Sequence, residues 1–155
     1  MCCEARLVRL PQRTAVNHIP SGPLRFTVRQ RVTPRILVVE DSSDIASSLR
    51  TLFEAEGYEC HIAATGETAL SLALALQPDV VLMDIGLPDM SGYDVARQIR
   101  RQHRFRRMLQ IAVTGWGSKI DRERSLAAGI DHHLVKPVDF ALISQIVREW
   151  TSSMA

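Results

Sequence analysis

From Arg35 onward, short apolar runs alternate with amphipathic stretches, and the alternation repeats five times. Ile36–Val39 is dense in β-branched residues and is closed at once by Glu40 and Asp41, the pattern of a short buried strand. The segment from about Asp44 to Glu56 places Ile45, Leu49, Leu52 and Phe53 on one helical stripe, with Gly57 as a suitable stop. Tyr58–Ala63 reads as a second strand, and Glu67–Leu76 as a helix broken by Gln77-Pro78-Asp79. Val80–Met83 is a third strand, apolar throughout and again ending on an acid, Asp84.

The loop Gly86-Leu87-Pro88-Asp89-Met90-Ser91-Gly92 leads into a third helix from Tyr93 to about Gln102. Leu109–Val113 is a fourth strand and Lys119–Ala128 a fourth helix, stopped by Gly129. His132–Val135 is a fifth strand ending in Lys136-Pro137, and about Asp139–Trp150 a last helix with Phe140, Ile143, Ile146 and Val147 on one side. Five strand–helix units without hairpin signals predict an α/β fold: a doubly wound, five-stranded parallel sheet with helices on both faces.

Residues 1–34 break this picture. They hold Pro11, Pro20, Pro23 and Pro34 and no sustained period, with at most a short extended piece around Phe26–Val32. The chain therefore divides into a basic N-terminal extension, expected to be disordered (1–34), and one domain (35–155). Charge divides it at the same point. Six arginines oppose Glu4 in the first 34 residues, a net +5, whereas the remainder carries −3, so the overall +2 conceals a basic arm on a mildly acidic domain. Such an arm attracts anionic partners in general, but the domain offers no nucleic-acid motif, and nucleic acid is not an expected partner.

The apolar stretches fall short of the ~20 residues that span a bilayer, so no membrane insertion is expected. Cys2, Cys3 and Cys60 are odd in number and lack metal-ligand spacing. A disulfide framework is not expected, and a reducing cytoplasm is the default compartment. Arg6, Arg9 and Arg13 interrupt any signal-peptide core. Only five residues follow Trp150, too few for a C-terminal output domain.

In an open parallel sheet, sites form outside the carboxyl ends of the strands. Those ends here are Glu40 and Asp41, Asp84, Thr114, and Lys136. Each has an ordinary explanation alone: an acid after a strand caps the next helix, and Lys-Pro is a turn. Three acids, a hydroxyl and a lysine at four of five strand ends exceed what capping needs.

With these residues in place, the segment from Arg35 to about Trp150 resembles the receiver domain of two-component response regulators and hybrid histidine kinases. The matching stretches are Val38-Val39-Glu40-Asp41, Asp79 through Asp84 to Gly92, Ala112-Val113-Thr114-Gly115, and Leu134-Val135-Lys136-Pro137. Gly66 with Ala69-Leu70, and Ala128-Gly129 before the fifth strand, add to them. The sequence from Thr114 to Asp139 is more similar to receivers of hybrid kinases, or to stand-alone receivers, than to those attached to DNA-binding domains.

The resemblance implies a flavodoxin-like sheet of order 2-1-3-4-5 and a phosphoryl group accepted by Asp84. It further implies Mg²⁺ held by Asp41, Asp84 and the Gly86 backbone carbonyl, with Glu40 acting through a water. This suits a cluster of hard, mutually repelling oxygens. Lys136 would meet one phosphoryl oxygen and the Thr114 hydroxyl another, with Gly115 leaving room for entry, and the bond to Pro137 would be cis. The donor would be a histidine kinase or histidine phosphotransfer protein, and output would pass to an unidentified protein. No turnover beyond the domain's own phosphotransfer and autodephosphorylation is implied.

Three features depart from that pattern or lie outside it. Where receivers usually carry Tyr or Phe, three residues before the lysine, this chain has His133. Imidazole is smaller and, as a class, titrates near neutral pH, so the switch formed with Thr114 is expected to be weaker or read differently. Trp116 at the pocket rim is expected to slow attack by water on the acyl phosphate. The arginine-rich segment Arg97–Arg107 reads as a solvated helix end and loop, with an acidic-partner patch as the alternative. Two other functions compete. One is a receiver-fold binding module that works without phosphorylation. The other is a haloacid-dehalogenase-like phosphatase, which would want an acid where Gly86 stands.

Overall fold

The computed structural model describes residues 33–154; the extension read over residues 1–34, and the extended piece within it, lie outside them except for Thr33 and Pro34. Five strands and five helices alternate: β1 (Arg35–Val39), α1 (Ser43–Ala55), β2 (Glu59–Ala63), α2 (Gly66–Leu76), β3 (Val80–Met83), α3 (Gly92–Arg101), β4 (Leu109–Thr114), α4 (Lys119–Ala128), β5 (His132–Val135) and α5 (Phe140–Ser153). All strand pairs are parallel, in the order β2-β1-β3-β4-β5. The sequence-based boundaries agree to within a few residues. A single 3₁₀ turn, His103–Phe105, has no counterpart in them.

The period of two along β1 and β3 divides the core between two faces. Leu37, Val39, Val81 and Met83 meet α2, α3 and α4 through Ala69, Ala73, Val95, Ile99 and Ala128. Ile36, Val38, Val80 and Leu82 meet α1 and α5 through Phe53, Ile143 and Val147. Burial on both faces explains why these strands read as unbroken apolar runs. Phe53 anchors the second face, edge-on to Tyr58 at 6.1 Å and to Phe140 at 5.0 Å between ring centroids. The α1 stripe is only half used, however. Phe53 is buried and Leu49 packs against the core, while Ile45 and Leu52 remain exposed. Ile45 instead lines a cleft of about 110 Å³ that runs under Glu40, Asp84 and Lys136.

Local chemistry fixes the helix ends. Ser118 and Asp121 form a reciprocal capping box on α4. Ser91 caps α3 and Asp139 caps α5. The N-terminus of α2 is capped from a distance: both Asp89 carboxylate oxygens accept backbone N–H bonds, from Gly66 at 2.8 Å and Glu67 at 2.9 Å. Those bonds hold the Asp89 carboxyl below its usual range and tie the loop after β3 to α2. Gly129 ends α4 at φ +85°, a conformation that glycine adopts without strain.

The arginine-rich segment is not uniformly solvated. Arg97 pairs with Asp94 on its own helix, but Arg100 turns back onto the fold. Its guanidinium donates to the carbonyls of Gly129 (2.6 and 3.0 Å), Met108 (3.0 Å) and Arg106 (3.2 Å), and to the Asp131 carboxylate (2.8 Å). It thereby joins the end of α3, the loop into β4 and the loop into β5. Arg97, Arg101, Arg104, Arg106 and Arg107 are the exposed members.

Candidate functional site

Parallel ladder bonds set the strand ends level with one another. The backbone N–H of Asp84 donates to the Val39 carbonyl at 2.9 Å, and that of Lys136 to the Thr114 carbonyl at 2.8 Å. Glu40, Asp41, Asp84, Thr114 and Lys136, each just past or at the end of its strand, therefore surround one crevice. Their exposure differs in a useful way. The Glu40 and Asp84 side chains are 6% and 15% exposed, Thr114 is buried, and Asp41 faces solvent.

Carboxylate oxygens of Glu40, Asp41 and Asp84 lie within 4.8 Å of one another. Three like charges this close repel in a partly desolvated site, and one cation answers them. Lys136 Nζ donates to Asp84 Oδ2 at 2.7 Å and to Glu40 Oε2 at 3.1 Å. Burial by itself would push the Lys136 ammonium down, but its bonds to Asp84 and Glu40 outweigh that and raise it above the ordinary lysine value. If all four groups are ionised, the cluster retains a charge of −2. A divalent ion with hard oxygen preference fits this donor set.

The loop after β3 shapes the crevice. The Gly86 N–H donates to Asp84 Oδ1 at 3.0 Å and Gly86 pairs in an isolated bridge with Ser91. This leaves Asp84 with one oxygen on the loop and one on Lys136. A Cβ at Gly92 would stand 2.5 Å from the Asp84 carbonyl oxygen, so only glycine lets the loop close this tightly. At Gly115 a Cβ would meet nothing within 4 Å. Open space therefore lies beside Thr114 at this position. The Lys136–Pro137 peptide is cis, as expected.

Thr114 and His133 do not touch directly. The Trp116 N–H donates to Thr114 Oγ1 at 3.2 Å, and the Trp116 carbonyl accepts from His133 Nε2 at 2.7 Å. On its other side, His133 Nδ1 meets Ser125 Oγ at 2.7 Å. His133 is thus half-buried and engaged on both nitrogens, whereas His132 is exposed. The Trp116 ring is 54% exposed. Ser125 and Asp89 were not singled out from the sequence; their contacts span 8 residues and 23 residues, beyond any local periodicity.

A family model described as the response regulator receiver domain matches residues 36–148. Over 119 residues the chain is 33% identical to the polar-differentiation response regulator DivK of Brucella ovis, covering 77% of this chain and 97% of that one. Among solved structures, a CheY-like response regulator receiver domain protein from Methanospirillum hungatei is 34% identical, with a TM-score of 0.70, over 77% of this chain and 95% of that chain. The signal receiver domain of a signal transduction histidine kinase from Syntrophus aciditrophicus is 29% identical, with a TM-score of 0.72, over 78% and 92%.

Proposed function

Because the chain belongs to the response-regulator receiver family of two-component signalling, we propose that it accepts a phosphoryl group on Asp84. The donor would be a histidine kinase or a histidine phosphotransfer protein, and the output would run through protein contacts. The observation that carries this reading is the bridge from Lys136 to both Asp84 and Glu40, beside a third acid, in a crevice with a buried threonine hydroxyl.

In the reaction, an Asp84 carboxylate oxygen forms the new P–O bond while the P–N bond to the donor imidazole breaks. The electron pair of the broken bond returns to that imidazole nitrogen. The attacking oxygen would be the one bonded to Lys136, which the lysine can release by moving, because the other is held by the Gly86 N–H of the loop. Lys136 would shift from the carboxylate to a phosphoryl oxygen, a movement that a flexible point charge allows. Thr114 would donate its hydroxyl to a second oxygen. Mg²⁺ held by Asp41, Asp84 and the Gly86 carbonyl, with Glu40 through a water, would neutralise charge as the anion approaches. Beyond this transfer and hydrolysis of its own acyl phosphate, the domain would turn over no substrate.

No helix among the described residues is long and apolar enough to cross a membrane, which agrees with action in the cytoplasm. The test is transfer of radiolabel from a phosphorylated donor in Mg²⁺. Label should appear on the parent chain and not on Asp84→Asn. Equal labelling of both would refute the assignment and favour a binding module that works without phosphorylation.

A further inference from the structure

The helical hydroxyls of Ser48, Thr51 and Thr151 each donate to the carbonyl four residues earlier, the usual local bond for such residues. Ser125, only 2% exposed, turns away from its helix to the ring of His133 at 2.7 Å. The carbonyl of Asp121, four residues before it, accepts instead from the Tyr93 hydroxyl at 3.3 Å. A buried hydroxyl aimed across to a strand marks a built contact between α4 and β5.

The partners fix the ring's proton. A carbonyl oxygen can only accept, so the bond to Trp116 places a hydrogen on Nε2. In the neutral ring Nδ1 then accepts from Ser125. Both bonds are made by one tautomer, with no group left over. The Trp116 backbone is held from both sides: its carbonyl oxygen by His133, and its N–H, in the preceding peptide group, by a lone pair on Thr114 Oγ1. With that lone pair taken by the loop, the Thr114 hydroxyl proton is free to point into the crevice.

We infer that Ser125 and His133 are positioning residues for Thr114: hydrogen bonds from α4 through His133 fix the Trp116 backbone, whose N–H orients the threonine hydroxyl toward an incoming phosphoryl group. The inference rests on the proposed phosphorylation of Asp84. Phenylalanine at position 133 would fill similar space and make neither bond, so this chain presets by hydrogen bonding what packing alone leaves free. By linkage, an anion that draws on Thr114 must stabilise the α4 contact to the same extent.

The test uses the full chain, radiolabelled acetyl phosphate and Mg²⁺, with thermal melting to confirm that each variant is folded. Ser125→Ala, which removes one hydrogen bond, and His133→Phe, which removes two, should each slow phosphorylation about 2- to 10-fold. The double variant should be no slower than the worse single one, because both cut the same run of hydrogen bonds. Imidazole nitrogen NMR of the parent should place the ring proton on Nε2, and Ser125→Ala should shift the Nδ1 resonance alone.

A parent-like rate in His133→Phe, multiplied effects in the double variant, or a ring proton on Nδ1 would overturn the inference. If His133→Phe fails to fold, Ser125→Ala and the spectra still decide it. Asp84→Asn, run beside them, separates the two levels. Labelling of that variant at the parent rate defeats the phosphorylation reading. Its loss, together with a parent-like His133→Phe, defeats only the positioning role.

Discussion

At the N-terminal ends of the strands, Arg35 bonds Glu59 at 2.8 Å and the Leu76 carbonyl at 2.9 Å, while its N–H is taken by Asp79 at 2.7 Å. Arg100 likewise answers Asp131 and four neighbouring carbonyls. At the C-terminal ends, three carboxylates face one ammonium. At the first pole Arg35, Glu59, Asp79, Arg100 and Asp131 are matched group by group and close loops onto the sheet. Charge at the second is left in excess of one sign, which costs stability and creates a place for cations and a phosphoryl group. An ion pair therefore says little about role until the surplus around it is counted.

The largest expected effects separate the poles by function. Asp84→Asn removes the nucleophilic oxygen and should abolish phosphorylation while leaving the fold intact by circular dichroism. Lys136→Met should lower the transfer rate by about 10²-fold, the usual cost of losing one charge-stabilising donor. Arg100→Ala should do the reverse. It strands the Gly129 and Met108 carbonyls and leaves the Asp131 carboxylate only the Gln110 N–H, and should cost about 2–4 kcal/mol in urea unfolding. Labelling of Asp84 under native conditions should not change. A transfer defect in folded Arg100→Ala would break the division between the poles.

Next in size is the response to metal. Mg²⁺ should relieve the repulsion at the acidic pole and raise the melting temperature, by the equivalent of about 2.7 kcal/mol at one hundred times its dissociation constant. Asp41→Asn should remove most of that rise, whereas Arg100→Ala should keep it. An equal Mg²⁺ response in Asp41→Asn would remove Asp41 from the metal site.

How far these two poles were legible differs for a physical reason. The acidic pole stands at strand ends, where short apolar runs stop abruptly on Glu40, Asp84, Thr114 and Lys136, so pattern and chemistry coincide in the sequence. The strands β3 and β5 and helix α4 were readable to the residue because Asp84, Lys136-Pro137 and Gly129 end them abruptly. The opposite pole depends on Arg100 reaching carbonyls 5 to 29 residues away, and a carbonyl has no sequence signature. The Asp89 cap of α2, the contact from Ser125 to His133 and the 3₁₀ turn at His103 were hidden in the same way. Ile45 and Leu52 misled in the opposite direction: their spacing suits a buried stripe, but the crevice beside α1 leaves them uncovered.

The smallest expected effects lie in the pH dependence of stability, measured with EDTA present so that no metal masks the carboxylates. At the matched pole, the Arg35 guanidinium, and after it His61, hold the Glu59 carboxyl below its ordinary value of 4.5. A carboxyl lowered in the folded state stabilises it fully above the unfolded value and loses that contribution as pH falls through the folded one. At the surplus pole, burial pushes Lys136 down, but Asp84 and Glu40 raise it above 10.5 overall. A lysine raised in the folded state contributes fully below the unfolded value and loses its contribution as pH rises through the folded one. Acid below pH 4.5 should therefore probe Glu59, and alkali above pH 10.5 should probe Lys136. Glu59→Gln should flatten the acid limb of urea stability against pH and leave the alkaline limb, while Lys136→Met should do the converse. The Glu59 change should be the slighter, because its side chain is 40% exposed and such pairs are strongly screened, whereas Lys136 pairs with two largely buried carboxylates. If either substitution flattens the limb assigned to the other, the two poles are electrostatically coupled through the sheet and their separation fails.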